Sequence, residues 1–316
     1  MTRLIARRIL LALPLLLVIS LLLFAVLHLV PGGPLSAYLE NPNVRPEDIE
    51  RLRRAMGLDR SLVQQYVSWL FAFSRGDWGY SYADGQPVMR RLLERLPATL
   101  QLVGSAVFIA LLAAIPAGVY AAVKPRVDRA TSFVAVAGIS LPVFWFGLSL
   151  QLLFAGLLGW LPSSGRSTFG GGSFSDTLAH LIMPATVLAV VLASAWMRYL
   201  RRTMRETLDE PFIGVARSRG VSERTLLWRH ALVNAAPVFT TVVLLDTSML
   251  ASGAVVTESV FAWPGVGSLF VDSLARRDYA VLMAFLMCGS TVVVALNLVS
   301  DVLALWLDPR RRATVL

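Results

Sequence analysis

The residue types that most often ligate metals, attack as nucleophiles or cradle phosphates are sparse: three histidines, one lysine and one cysteine in 316 residues. His28, His180 and His230 stand in no His-Glu-x-x-His or paired-ligand spacing, so a hydrolytic or structural metal centre is not indicated. Lys124 is followed by Pro125, whereas a phosphate-cradling Walker A loop needs Gly-x4-Gly-Lys-Ser/Thr. Cys288 is alone, so no disulfide framework or cysteine metal site forms within one chain. No Gly-x-Ser-x-Gly elbow appears. The sequence reads as a non-enzyme that carries no cofactor or metal of its own. What remains are a few acids inside apolar runs, Asp246 foremost, and a polar island. The island runs "DEPFIGVARSRGVSERTLLWRHAL" from Asp209 to Leu232, with Arg198, Arg201, Arg202, Arg205, Arg217, Arg219, Arg224 and Arg229 in or near it.

The elements that must hold these residues are set by composition. Hydrophobic residues make up 56% of the chain and charged ones 16%, with a mean hydropathy of +0.65. A soluble domain of this length has no core large enough to hide that balance, so this is a membrane protein. A bilayer core about 30 Å thick needs roughly 20 apolar residues in helical form. Six windows qualify: 9–30, 99–123, 130–158, 178–197, 235–261 and 280–307. The first follows Arg3, Arg7 and Arg8 as a signal peptide would, but its apolar run is too long and "LHLVPGGPL" has no small-x-small cleavage site. It reads as a retained anchor.

Orientation follows from the short loops. With the N-terminus cytoplasmic, that side holds Arg3, Arg7, Arg8, Lys124, Arg126, Arg129, the island's arginines and Arg310, Arg311 and Arg312. The opposite side has Arg166, Arg276 and Arg277 in its short loops. Both termini are therefore expected in the cytoplasm of a bacterial-type plasma (inner) membrane. The net charge of +9 is mostly topology and attraction to anionic lipid, and nucleic-acid binding is a poor reading of it.

Four segments result: an anchor helix at 1–30, an external helical segment at 31–97, a five-helix core at 98–307 with a cytoplasmic loop at 200–233, and a tail at 308–316. In the external segment, "RPEDIERLRRAMGL" predicts a helix from Pro46 to Gly57, with Ile49, Leu52 and Met56 at helical spacing. "SLVQQYVSWLFAF" predicts a second from Ser61 to Phe73. The segment is expected to cap the outer face of the bundle. "STFGGGSFSD" reads as a flexible glycine-rich turn.

Within the island, Pro211 suits a first helical turn, with Asp209 and Glu210 beside the positive helix end. Phe212, Val215 and Ala216 are expected on one face, Gly220 in the left-handed conformation that ends the helix, and Ser222 as cap of a second helix. Gly214, Ala216, Ser218 and Gly220 add a face of small residues. Such a shape fits a partner's groove, or lies on anionic lipid.

"ARSRGVSERTLLWRHALVNA" resembles the cytoplasmic coupling loop, or EAA loop, of ABC importer permeases, most of all in the dipeptide, oligopeptide and nickel branch. "SGAVVTESVFAWPGVGSLFVDSLARRDY" (252–279), "LDPRRR", "VPGGP" and "HLIMPA" extend the match over nearly the whole chain in the family's order. The loop departs from the general pattern: Gly214, Val215, Ala216 and Gly220 stand where it has Glu-Ala-Ala, three residues and Gly, so the signature acid is absent. His230 and Val233 stand where many importers have Ile and Pro. The resemblance implies a type I importer fold and a binding-protein-dependent system. Phe212, Val215, Ala216, Arg217, Arg219, Gly220 and Ser222 would then couple to one of two cytoplasmic ATP-binding subunits, which carry the ATP and Mg. It also implies a second homologous permease and an extracytoplasmic solute-binding protein.

Polar groups within spans are expensive in hydrocarbon. Asp246 is expected either on the translocation path, attracting a cationic terminus or metal, or in a helix–helix hydrogen bond. Asn297 is carried with it as a path candidate, though Asn297 and Asp301 also suit interhelical bonding. Glu258, Trp263, Pro264 and Gly265 read either as an outer gate touching the delivery protein, or as an interfacial anchor with Trp263 in the aromatic belt. The resulting expectation is an all-α polytopic protein of six transmembrane helices, a permease for di- or oligopeptides, nickel or glutathione-like solutes. Two alternatives are an ion-coupled secondary transporter using Asp246, although no convincing repeat appears, and a membrane scaffold.

Overall fold

The computed structural model describes residues 2–29, 33, 35, 45–251 and 254–307. The tail with Arg310, Arg311 and Arg312, and most of "VPGGP", lie outside that set. Among the described residues there is no β-strand, only an isolated bridge between Tyr80 and Pro87. Five helices are long and apolar enough to cross a membrane, six if one sharply bent pair counts as a single span. The expected all-α polytopic fold is the observed one.

Helix α1 (Thr2–Leu29) is followed by α2 (Pro46–Ala55) and α3 (Leu62–Ser74). Ser61 caps α3 through a reciprocal capping box with Gln64, the local signal that the sequence carries. The long α4 (Val88–Val123) begins 11 residues before the expected span at 99. At about 1.5 Å per residue, its 36 residues exceed the bilayer core, so it projects beyond it.

Helix α5 (Pro125–Ser140) meets α6 (Val143–Leu150) at a bend of 100°. The expected third span at 130–158 is therefore broken. The cause is Pro142, which lacks an N–H and pushes Leu141 out of helical geometry, to φ −79° and ψ 125°. A π-helical stretch, Gln151–Leu157, completes α6.

Helix α7 (Phe174–Leu208) is capped by Ser173 and runs 11 residues past the expected end of its span at 197. Arg198, Arg201, Arg202 and Arg205 thus sit on a helix, not in a loop. Next come α8 (Pro211–Ser218), α9 (Glu223–Thr225), a π-helical stretch Leu226–Ala231, and α10 (Leu232–Ala251). Helices α11 (Val255–Val260), α12 (Val266–Ala275) and α13 (Tyr279–Leu307) complete the chain. The expected fifth span at 235–261 is divided between α10 and α11.

Helices α4 and α7 form the central pair. On α4, Ala98, Leu102, Ala106, Ala110, Ala114 and Gly118 recur every fourth residue, all buried. They face Leu181, Ala185 and Leu188, then Ala189, Leu192 and Ala193. A Cβ on Gly118 would lie 2.9 Å from Leu200 Cβ, so the backbones approach as closely as small residues permit. Helix α5 closes on α7 by the same device, since a Cβ at Gly138 would sit 2.2 Å from Ser194 Oγ.

Helix α13 packs along α1. Arg8 and Asp301 pair at 2.9 Å near one end. Phe24, Leu27, Tyr279, Leu282 and Met283 cluster near the other. Asp301 thus serves the interhelical role expected of it. Helix α3 packs on this pair: Tyr66 Oη and Ser20 Oγ share a hydrogen bond of 2.9 Å, and His28 Nε2 lies 3.3 Å from Gln65 Oε1.

Candidate functional site

The island folds as two short helices fixed to the bundle from inside. Pro211 opens α8 as expected, and Gly220 takes φ +80° to end it. Ser222 then caps α9 by accepting from Thr225 N at 3.4 Å. Ile213, Leu226 and Ala231 are fully buried in the core with Trp196, Leu200 and Met204. Phe212 and Val215 remain 38% and 51% exposed, with Gly214 and Ser218 beside them. Ala216 packs against the core instead of joining Phe212 and Val215, because at 3.6 residues per turn it follows Ile213 onto the inner face. The sequence reading passed over Ile213, although its i,i+3 spacing with Ala216 marks that face. Arg217 is braced across the turn to Glu223 at 2.8 Å, while Arg219 stands exposed.

The island's charge is partly internal. Arg201 and Arg205 on α7 both grip Asp128 near the start of α5, Arg205 at 2.7 Å. Arg201 also donates to Ser132 Oγ at 2.7 Å. Arg205 reaches the carbonyls of Ala121 and Ala122 at 3.3 and 3.4 Å. Arg202 pairs with Glu206 at 2.8 Å on its own helix. Arg198, Arg219, Arg224 and Arg229 are exposed at the surface. Asp128 is a structural clamp that sequence reasoning missed; its partners lie 73 and 77 residues away.

Asp246, half-buried, accepts a 2.8 Å hydrogen bond from Trp196 Nε1, the α10-to-α7 link that was one of its two expected roles. The Trp196 ring is fully buried and edge-on to Phe239. Asn297 Oδ1, on α13, is buried without a hydrogen-bond partner, as is Ser300 Oγ one turn on.

At the other end, the "ESVFAWPGVG" stretch is a buried knot. Glu258 is wholly buried; Oε1 accepts from Thr99 Oγ1 at 2.6 Å and Oε2 from Ser268 N at 2.9 Å. Thr99 Oγ1 in turn accepts from Val266 N at 2.9 Å. Trp263 is 0% exposed and donates from Nε1 to the Ala98 carbonyl at 2.8 Å. Ala262 at φ +46° makes the reversal. Two expectations fall here: Trp263 is core, not aromatic belt, and neither Glu258 nor Trp263 offers surface to a delivery protein. Both are drawn inward by hydrogen bonds to α4. Pro264 is half-buried, and Gly265 is buried against the Glu258 carboxyl.

The loops at this end of the bundle are tied to this knot and to a second one. Gly165 N donates to the Phe261 carbonyl at 2.8 Å, and Gln151 Nε2 to the Val260 carbonyl at 3.0 Å. Asp176 accepts from Thr168 N and Oγ1 at 2.8 and 2.6 Å, so the glycine-rich turn is tethered, contrary to its expected freedom. Asp278, fully buried and also missed from sequence, accepts from Ser81 Oγ at 2.5 Å and Tyr82 N at 3.1 Å, with Arg91 at 3.5 Å. Burial, and then the Asp278 charge, raise the Tyr82 phenol above its ordinary value.

The His28 ring bonds the Phe24 carbonyl and meets Gln65, and the His180 ring bonds the Asp176 carbonyl, while at His230 it is the backbone carbonyl that accepts from Asn234. Among the described residues no group of three or more His, Cys, Asp or Glu is placed to hold a metal.

A core of apolar helices, with an amphipathic pair displayed at one end and a locked hairpin at the other, is the build of a transporter's membrane subunit. The family model described as "Binding-protein-dependent transport system inner membrane component" matches residues 114–313, and the corresponding N-terminal model matches 1–103. The chain belongs to this family and is a multi-pass permease subunit. It is 38% identical to the oligopeptide transport system permease protein AppB of Bacillus subtilis (strain 168), over 97% of this chain and 98% of that one. It is 35% identical to the di/tripeptide transport system permease protein DppB of Pseudomonas aeruginosa (strain UCBPP-PA14), over 98% of each. With the Escherichia coli (strain K12) dipeptide permease DppB it shares 34% over 99% of each. The fold matches an inward-facing structure of the MetNI methionine ABC transporter at a TM-score of 0.54 and 16% identity, covering 70% of this chain and 98% of that one. Nothing in these matches supports the ion-coupled carrier.

Proposed function

We propose that this chain is one half of a two-permease pore that imports di- or oligopeptides, powered by two cytoplasmic ATP-hydrolysing subunits and supplied by an extracytoplasmic solute-binding protein. The names of its full-length relatives support the cargo class. The distribution of short-loop arginines supports cytoplasmic termini and a cytoplasmic island. ATP and Mg belong to the partner subunits in this reading.

The observation that carries the coupling role is the split of α8 into two sides. Phe212 and Val215 face outward beside Gly214, while Ile213 and Leu226 are locked into the core beneath α7. A partner that grips the outer side moves the inner side with it, because close-packed interiors transmit displacement with little compression. The closure of two ATP-binding subunits thereby rocks α7 and α10 and alternates access to the pore.

Replacing Phe212 and Val215 together with aspartate tests this. Losing a docking anchor costs about 2 kcal/mol or more, about 30-fold in affinity. ATP-binding subunits should no longer co-purify with the double variant, which still inserts and folds. Retention of those subunits at wild-type stoichiometry would remove the coupling role.

Asp246 is the candidate for meeting the cationic terminus of a peptide on the path. Asp246→Asn keeps a hydrogen-bond acceptor for Trp196 but loses the charge. A charge-assisted bond worth about 1.5–3 kcal/mol sets the expected loss in uptake of free-amino peptides at roughly tenfold or more, with N-acetylated peptides unaffected. Equal uptake of both by the variant and the parent would leave Asp246 only its bond to Trp196.

A further inference from the structure

Helix α3 is external to the spans in sequence, yet its contacts lie along the flanks of two spanning helices. Tyr66 bonds to Ser20, and Gln65 meets His28. Ser20 lies nine residues before the end of α1 at Leu29, which at 1.5 Å per residue is about 13 Å down the helix. Farther along, Phe73 packs into the cluster holding Val281, Ala284 and Phe285, the first two turns of α13. Helix α3 therefore lies across α1 and α13 at a level that both of these spanning helices occupy, not above their ends.

Its three sides differ in the manner of a helix half sunk in an interface. Tyr66, Trp69 and Phe73 face the bundle, the last two stacked at 5.2 Å between ring centres. Val63, Val67 and Phe71, spaced by four, form a second side that is 57–72% exposed. Ser68 lies on a third, polar side, with Gln64 at its border with the stripe. Arg60 precedes the helix, and Arg75 follows it with its guanidinium 3.8 Å above the Phe71 ring. The apolar stripe is thus bracketed by cations, a pattern that suits phosphate headgroups at both ends. Helix α1, against which α3 lies, carries its own exposed apolar residues, Leu21, Leu22, Val26 and Leu29, at 52–79%.

We infer that α3 is an interfacial helix whose Val63–Val67–Phe71 stripe contacts lipid acyl chains, in the leaflet reached by the C-terminal end of α1. That this is the outer leaflet rests on the orientation proposed above; the depth does not. The stripe anchors the outer segment laterally and leaves Ser68 to water. Bilayer contact of this kind sinks an apolar face by about 5–10 Å.

Spin labels at Val67→Cys and, separately, Ser68→Cys test the assignment. The background is Cys288→Ala, since Cys288 is the sole native cysteine. The full chain is placed in nanodiscs, which admit reagents from both sides, so a wrong orientation does not alter the readout. Power saturation by oxygen and by a water-soluble nickel chelate reports the surroundings. Oxygen should dominate at Val67 and the chelate at Ser68. Chelate dominance at Val67 would mean water, and low collision with both would mean a covering protein segment; either overturns the inference. Val63→Cys gives the same reading should the Val67 variant fail to insert.

Discussion

Gly265→Ala should abolish most of the transport while Gly104→Ala leaves it intact. The difference lies in what the added methyl meets. At Gly265 a Cβ would fall 2.3 Å from Glu258 Cδ and 2.4 Å from both of its oxygens. At Gly104 nothing lies within 4 Å. The Gly265 backbone, at φ −97° and ψ −177°, suits any residue, so strain of the main chain is not the issue. The buried carboxyl itself occupies the place of a side chain. Alanine must push Glu258 off Thr99 and the Ser268 N–H, and overpacking of this kind costs about 1–3 kcal/mol. A buried polar group stripped of its partners adds about 1–3 kcal/mol. The knot that joins α11 and α12 to α4 then opens. Uptake in proteoliposomes should fall by more than about tenfold, the equivalent of 1.4 kcal/mol or more, with a melting temperature several degrees lower. Transport equal to the Gly104→Ala control would show that the knot is dispensable.

Asp128→Asn should separate ATP hydrolysis from transport. Asp128 is where α4, α5 and α7 meet, held by Arg201 and Arg205 together, with Arg205 also on the last carbonyls of α4. Without the negative charge, two arginines face one another around a neutral amide, and like charges so placed repel. Under the proposed function, force on α8 enters the lower end of α7, and the clamp passes it to α5 and the bend at Pro142. The assembled complex with Asp128→Asn should hydrolyse ATP near the parental rate, while peptide uptake per ATP drops by about tenfold, or 1.4 kcal/mol of coupling. Asp128→Glu, which restores the charge, should recover most of it. A matched fall of both activities, or of neither, would assign the clamp to stability alone.

How legible these features are in sequence depends on the reach of the signal. Ser61 with Gln64, Pro211, Gly220 and Ser222 act within a single turn, and each falls where local chemistry puts it. Hydropathy marks the apolar cores of α4 and α7 but not their ends, because the arginines at 90–95 and 198–205 continue the helices beyond the bilayer. Leu141-Pro142 carries the break in the third span, yet its apolar surroundings disguise it as a continuous run. Trp263 has the same composition signal whether it lies in a belt or a core. The deciding bond goes to Ala98, 165 residues away. Asp128 and Asp278 are solitary acids in sequence, and only the fold brings Arg201, Arg205, Ser81 and Arg91 to them. On α8, the apolar identity of the residues is plain, but the split between Phe212 outside and Ile213 inside depends on where α7 ends.

The seam between α4 and α7 has a further consequence. A row of alanine and glycine at every fourth residue is nearly self-similar, so sliding one helix by one four-residue repeat, about 6 Å, would bring like against like. Leu102 is the one large side chain in that row, and it is fully buried. It works as the odd tooth of a key: the alanines allow the two helices to close, and Leu102 determines the notch in which they do so.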